Sequence, residues 1–493
     1  MIPASHPILS CAQAGRWETK RFAGDEAKEW PAMQQAGRAV AAAVMKDFKE
    51  IGGFPVHGRV LVLAGKGHNG GDALLAAEAI LAGFPAARVE LVFAFGERVL
   101  RPLAAKAYRS LAQAAANRLT VVAPDNVTGV YDLCLDGVFG FQFRPPVGPA
   151  VAALLARVNQ LPIRLRAAVD LPSAGRFRAD FTYATGCVKE PLLTGGNSGR
   201  IRYLDLGFFS GAERGPDRVL TSAVLAPLTA LRPPFSDKRS QGHLLVMGGS
   251  RSYPGAVLMT VLAALRSGAG LVTAFVPESL APAFAARAPE AMWVGWPETP
   301  DGGLALEGRH LLQARLTRAT ALVIGPGLGR EGETLALVVD LVKTVTLPVL
   351  LDADALQPDI VLARQGPLVL TPHAGEFARV AGKMPLRAFS RKRQATVVLK
   401  GPVTRICDGA EVYHSFFGGP VLARGGSGDL LAGLIGGLLA QTPKEPLLAA
   451  CRGAAWHGIA ADLLARSWGQ TAVQTTQLLD FLSAALRESA HEP

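Results

Sequence analysis

Short apolar runs alternate with helical patterns along most of the chain. "RVLVLAG", "VELVFAFG", "YDLCLDGVFG" and "RAAVDLPS" are near-continuous Val/Leu/Ala segments of strand length, with Ala/Leu-rich stretches before or after each. A helical stretch, "PAMQQAGRAVAAAVMKDF", comes first. Strands without polar alternation, separated by helices, predict a parallel sheet covered on both faces. The rhythm stops near residue 210, and 211–242, with a Pro-Pro pair and a charged tail, reads as a linker region. From "HLLVMGGS" it resumes through "GLVTAFVP", "TALVIGPG", "LPVLLDAD", "PLVLTPH" and "TVVLKG", then a Gly-rich turn and long Ala/Leu helices. This predicts a second α/β domain, with no internal repeat and no low-complexity tract.

Composition narrows the picture. A chain of 493 residues is too long for one ordinary core, so two domains of roughly 200–270 residues are expected. With 49% hydrophobic and 18% charged residues, large cores are expected and long disordered stretches are not. The net charge of +11, from Lys+Arg 51 against Asp+Glu 40, favours anionic partners. The only dense basic run is Arg391-Lys392-Arg393, so phosphorylated small molecules fit better than nucleic acid. Five cysteines (Cys11, Cys134, Cys187, Cys407, Cys451) lie far apart without a CxxC, as expected of reduced, buried thiols in the cytoplasm. "MIPASHPILSCAQAG" has no basic n-region, and "AVLMTVLAAL" and "LLAGLIGGLLA" are shorter than the ~20 residues of a membrane span. A soluble cytoplasmic protein with no membrane partner is expected.

The candidate chemistry sits at strand ends, where open α/β sheets bind ligands. "GGSRSYPGA", "GPGLG" (325–329), "LDADAL" (351–356), "TPHAGEF" (371–377) and "LKGPVT" (399–404) each close a predicted strand, and "GGSGD" (425–429) opens a helix. Alone, each reads as a turn, a cap or close packing. Six in one domain point to a site. The turn 425–428 can offer bare N–H groups to an anion at a helix N-terminus. Asp429, in the first turn behind it, can then either cap the helix or move a proton for a hydroxyl attacking phosphorus.

"GGSGDLLAG" with the upstream "LKG" resembles the ribokinase-like small-molecule kinases. The fuller set, with "PGAVLMTVLAALRSGAGLVT" (254–273) and "RAPEAMW" (287–293), resembles the ADP/ATP-dependent NAD(P)H-hydrate dehydratases over roughly 236–490. That resemblance implies repair: the ring hydroxyl of hydrated NADH or NADPH is phosphorylated from a nucleotide, and phosphate, a better leaving group than hydroxide, departs. It implies that Ala256, Gly327, His373 and Asp429 contact the hydrate. It likewise implies that Lys400, Gly401, Pro402, Val403, Thr404 and Gly428 contact ADP or ATP, with Mg²⁺ bridging the phosphates. Asp352 and Asp354 either join them or only organise loops and metal-bound water. The span "ARVAGKMPLRAFSRKRQAT" is short for the family, as if a helix were trimmed.

In the first half, "GKGHNGGD" is neither GxGxxG nor a Walker loop. It resembles the "GxGNNGGD" loop of the NAD(P)H-hydrate epimerase domain, a fusion partner of the dehydratase. "LDGVFGFQFRPPV" (135–147), "AVDLPSA" (168–174), "AMQQAGRAVA" and "ADFTYATGCVKEPL" (179–192) fall where that family has further loops and elements. The resemblance implies a hydrate site from His68, Asn69, Gly70, Gly71 and Asp72 with Gly140, Phe141, Gln142, Phe143, Arg144, Pro145 and Pro146. Asp170 would be the acid/base at C6 of the ring, and Asn69, Asp136 and Ser173 would ligate K⁺. The chain departs from the pattern with His68 and Ala73 for Asn and Gly, Ala174 for Gly, a segment cut to "GRFR", and aromatic "FGFQFRPP".

The resemblance therefore implies a Rossmann-like three-layer sandwich (1–215), a linker (216–235) and a ribokinase-like three-layer sandwich (236–493), assembled as a homo-oligomer. The alternatives are a vitamin-precursor kinase of the same fold, a dehydratase beside a non-catalytic N-terminal domain, and a non-catalytic scaffold.

Overall fold

The computed structural model describes residues 2–491. The chain divides into two compact units, one built on His6–Gly215 with Ala465–Gly469, the other on Pro216–Leu464 and the residues from Gln470 onward.

The N-terminal unit holds an all-parallel seven-stranded sheet. Its strands run in the order Leu119–Val121, Arg88–Phe93, Arg59–Ala64, Tyr131–Gly137, Ile163–Val169, Phe181–Thr185, Arg200–Leu204. Successive strand side chains point to opposite faces. In Arg59–Ala64, Val60, Val62 and Ala64 enter one core while Leu61 and Leu63 enter the other. Both faces are covered, which is why the run is apolar without alternation. The helix Glu26–Phe48 starts at Asp25, whose carboxylate accepts from the Ala27 amide at 3.0 Å. It buries Met33, Val40, Val44 and Phe48 along one stripe. Gly37 lets it approach the helix His68–Gly83, since a Cβ there would stand 2.5 Å from Leu75 Cβ.

The same unit carries a buried charge cluster. Asp47 accepts from Arg202 Nη2 at 2.9 Å and Nε at 3.1 Å, from Arg466 Nη2 at 3.0 Å and from the Tyr183 hydroxyl at 3.1 Å. Burial pushes its carboxyl up, but the two guanidiniums outweigh that and hold it below the usual carboxylate range.

In the C-terminal unit the sheet runs Asp217–Leu220, Val412–Ser415, Thr404–Cys407, Ala395–Leu399, Leu368–Leu370, Val349–Leu351, Ala321–Ile324, His243–Met247, Leu271–Pro277, Met292–Trp296. From Ala395–Leu399 to Met292–Trp296 every pairing is parallel, so all those strands end on one edge. His243–Met247 is the first of them in sequence, with later strands on both sides. The order therefore reverses there, opening a crevice between the loops after His243–Met247 and Ala321–Ile324. Two short helices, Ala374–Ala381 and Leu386–Arg393, fill the span that looked trimmed. The segment 216–235 contains the strand Asp217–Leu220 and the 3-10 turns Ser222–Thr229.

The apolar run 430–440 is an internal helix. Ser427–Gln441 is buried from Leu430 to Ala440, and Gly433 lies where a Cβ would meet the Thr260 carbonyl of the neighbouring helix at 2.1 Å. Among the described residues no helix is long and apolar enough to cross a membrane, and the five cysteines are free thiols.

Candidate functional site

Parallel strands gather the C-terminal unit's loops on one edge, and hydrogen bonds lock each loop to the next. Gly249 N donates to Pro326 O (2.9 Å), Asp352 N to Ile324 O (3.1 Å), Thr371 N to Leu351 O (3.2 Å) and Lys400 N to Pro372 O (2.8 Å). Lys400 and Asp352 face each other as a result. The Lys400 ammonium donates to Asp352 Oδ1 at 3.0 Å, and Thr371 Oγ1 donates to the same oxygen at 2.7 Å. Asp352 is 1% exposed, so its charge is felt at close range.

The glycine turn meets that pair. Gly426 has φ +90°, a left-handed conformation that glycine adopts freely, and it starts the helix Ser427–Gln441. A Cβ on Gly428 would stand 3.1 Å from Lys400 Nζ, so an ammonium and the positive end of a helix converge there. Asp429 is half-buried in the first turn, with its backbone carbonyl held by Thr260 Oγ1 at 3.1 Å. Burial and then the Asp352 charge push its carboxyl up to about 6, with Lys400 opposing. Burial disfavours the Lys400 charge, yet Asp352, Glu376 and Asp429 hold it above the usual lysine range.

At the crevice, Gly327 (φ +65°) is buried against Tyr253 and Ala256, with a would-be Cβ 3.1 Å from Ala256 Cβ, and Ser250 Oγ donates to its carbonyl at 2.9 Å. His373 is exposed and caps the helix Ala374–Ala381, its Nδ1 accepting from Gly375 N at 3.0 Å and Glu376 N at 3.3 Å. Gly401, Pro402 and Val403 form the hairpin turn into Thr404–Cys407, with Gly401 and Pro402 exposed. Asp354 is tied down elsewhere, accepting from Gly329 N at 3.1 Å and from Arg330 Nε at 3.1 Å.

The N-terminal unit has a half-open cleft of about 420 Å³ at its strand ends. His68, Asn69, Asp72, Gly140, Phe141, Gln142, Phe143, Arg144, Pro146 and Asp170 all line it. Gly70 and Gly71 do not. They are buried in the first helical turn, where a Cβ would meet Gly65 O at 2.2 Å and Met33 Sδ at 2.6 Å, so their role is close packing. Pro145 also lies outside the lining, joined to Pro146 by a cis peptide bond. Asp136 and Ser173 sit buried, with Ser173 Oγ donating to Asp136 Oδ1 at 2.6 Å and Ser173 N to Oδ2 at 2.8 Å. Asn69 Nδ2 donates to Phe139 O at 3.0 Å rather than to either of them. Burial pushes the Asp136 carboxyl up to about 6, against neutral Ser173 and Val138 donors.

Asp170 is held in the left-handed region (φ +65°), its amide bonded to Tyr183 O at 2.9 Å, and it pairs with the buried Lys189. Burial disfavours the Lys189 charge, but Asp170 together with its neighbours outweighs it and raises that ammonium above the usual range. Asp72 is pushed well up by burial and by Asp170 and Glu18. Aromatic rings line one wall: Phe95–Phe139 centroids lie 5.6 Å apart and Phe139–Phe143 4.4 Å. Lys66, Arg101 and Arg144 supply positive charge.

The sequence comparisons match both halves. The model for NAD(P)H-hydrate dehydratase covers residues 244–483, and that for the YjeF-related protein N-terminus covers 31–189. Bifunctional NAD(P)H-hydrate repair enzymes from Moorella thermoacetica and Gloeobacter violaceus are 34% and 36% identical to this chain, each pairing covering 93% of both proteins. The chain belongs to the family of bifunctional NAD(P)H-hydrate repair enzymes. The C-terminal unit is also similar to a ribokinase-like superfamily protein of Enterococcus faecalis, with TM-score 0.50, 28% identity, and coverage of 57% of this chain and 99% of that one.

Within a bifunctional repair enzyme, several site residues escape a reading of motifs. Thr371 and Lys189 lie inside quoted segments, and for Thr371 a polar residue directly past an apolar strand is the available signal. Lys66, Phe95, Arg101 and Glu18 carry no such signal, because only the fold brings them to the cavity.

Proposed function

We propose that this chain repairs hydrated NADH and NADPH at two sites, dehydrating the S form at the expense of ADP or ATP in the C-terminal unit and interconverting R and S in the N-terminal unit. The observation that carries the reading is the convergence of Lys400, the Gly426–Gly428 turn and Asp429 at one strand edge. Lys400, steadied by Asp352, and the helix N–H groups hold phosphate oxygens and neutralise charge developing in the transfer. Gly401 to Thr404 flank the nucleotide, while Ala256, Gly327 and His373 bound the hydrate. Asp429 takes the proton from the ring hydroxyl as it attacks phosphorus. Mg²⁺, when bound with the nucleotide, would offset the phosphate charge beside Lys400 and the glycine turn.

In the N-terminal unit Asp170 handles the proton at C6, the aromatic wall takes the ring, and Lys66, Arg101 and Arg144 take the phosphates. Asp136 fits a K⁺ ion: it is a buried carboxylate whose hydrogen-bond donors are all neutral, so a monovalent cation would balance its charge. Ser173 and Asn69 would complete the oxygen set. A cytoplasmic location and a homo-oligomeric state complete the proposal, and size-exclusion chromatography with light scattering tests the second.

The deciding experiment gives the purified chain, with Mg²⁺, K⁺ and ADP, then ATP, an equilibrium mixture of R and S NADH hydrate. Full, fast return of dihydronicotinamide absorbance is expected. Fast partial recovery followed by slow drift would leave a dehydratase alone. A stable phosphorylated product would overturn the reading.

A further inference from the structure

The helix Cys11–Phe22 starts at a capping box, Gln13 N donating to Ser10 Oγ at 3.3 Å and Ser10 N to Gln13 Oε1 at 2.8 Å. That start sets which face turns inward. Residues 11, 15 and 18 fall at i, i+4 and i+7, one face of a helix. The Cys11 thiol feels the charges of Asp170, Lys189 and Arg144. A Cβ on Gly15 would stand 3.7 Å from Phe141 Cε2. Glu18 lines the cavity itself. The other face packs away from it, with Trp17 stacked on Phe208 at 5.4 Å and Arg21 over the same ring at 4.9 Å.

Glu18 is half-buried, yet makes no hydrogen bond or ion pair with any described residue. A carboxyl kept for stability would be paired, and one of no consequence would be in water. Lys189 is committed to Asp170 and to the Thr185 carbonyl, which accepts from it at 3.3 Å. The charged and titratable groups around Glu18 are Lys189, Asp170, Asp72, Glu29 and Cys187.

We propose that Glu18 is a second catalytic carboxyl of the N-terminal site, forming with Asp170 a pair that carries one proton between them. This rests on the epimerase reading of that site. One route to inversion at C6 has a hydroxyl leave one face and water return on the other. The C6–O bond breaks with its electron pair going to oxygen, the ring nitrogen's lone pair closes onto C6, and the Glu18 proton makes the departing group water. Water then adds to the opposite face, and its proton goes to the Asp170 carboxylate. The next turnover in the opposite sense uses the same two groups with roles exchanged, so no oxidant or other reactant is needed. Burial pushes the Glu18 carboxyl up to about 7, so a proton donor is available near neutrality.

The test uses the full chain without nucleotide, so that only R/S interconversion is read, by chromatography of purified R- and S-NADH hydrate. E18Q should lower kcat by roughly 100-fold or more in both directions with KM little changed. The wild type should show a fall of kcat/KM above about pH 7, and E18Q should remove it. E18D should recover part of the rate. Nucleotide-driven dehydration of S-hydrate by the same preparations checks that E18Q is folded. An E18Q enzyme within a few-fold of wild type overturns the role of Glu18 alone. So does a slowed E18Q that keeps the wild-type pH profile, or a D72N variant that alone removes the limb. A wild-type chain that leaves R-hydrate untouched overturns the epimerase reading, and this proposal with it.

Discussion

Lys400 and Thr371 converge on a single carboxylate oxygen, Asp352 Oδ1, at 3.0 and 2.7 Å. Asp352 thereby orients the ammonium that stands over the glycine turn, and its charge also helps keep Asp429 high. Asp352→Asn should weaken the first effect and remove the second. The nucleotide KM should rise, and the acid limb of dehydration should move to lower pH as the Asp429 carboxyl falls from about 6. An unmoved limb would detach Asp352 from Asp429.

As a base, Asp429 must be ionised. Dehydration kcat/KM should be flat above about 6 and fall toward tenfold per pH unit below it. Asp429→Asn should lose roughly 100-fold or more in kcat while nucleotide binding by calorimetry persists. Normal turnover in that variant would remove Asp429 from the chemistry.

Asp170→Asn should leave repair of the S-hydrate intact and slow only the R form, since Asp170 belongs to the N-terminal unit. Equal loss for both hydrates would refute the two-site division.

The Asp136 carboxyl, raised from 3.8 to about 6 in the fold, binds its proton more tightly folded than unfolded. Folding therefore loses stability as pH rises from about 4 to about 6, and the deficit persists above that. A K⁺ ion at Asp136 would offset it. K⁺ should raise Tm more at about pH 8 than at about pH 5, relative to a large organic cation. Asp136→Asn should abolish the difference; equal shifts at both pH values would argue against a site there.

Asp47 has the opposite sign. Its carboxyl is lowered, so its stabilisation is present above the unfolded value of 3.8 and is lost as pH falls through the lower folded value. Asp47→Ala removes the one carboxylate to which Arg202, Arg466 and the Tyr183 hydroxyl all donate. A cost of about 3–5 kcal/mol in denaturant unfolding is expected, and a change under 1 kcal/mol would show the cluster is water-relaxed.

The alternation of apolar runs and helices was enough to predict two parallel α/β domains, because a strand buried on both faces admits no polar alternation, as Leu61, Val62 and Leu63 illustrate. Motifs at strand ends were legible for a related reason: loops after parallel strands must gather on one edge, so Asp352, Lys400 and Asp429 could be grouped from sequence, while Thr371 could not. Burial and pairing were not legible. How tightly Asp429 holds its proton depends on where Lys400 and Asp352 lie, and Gly70 and Gly71, which look like phosphate-loop glycines, turn out to be packing contacts. Lys189 is separated from Asp170 by a whole strand, and Glu18 by most of the domain. Local sequence sets periodicity and turns through short-range sterics, whereas electrostatic partnership is a through-space property that only the closed sheet and the register of its helices decide.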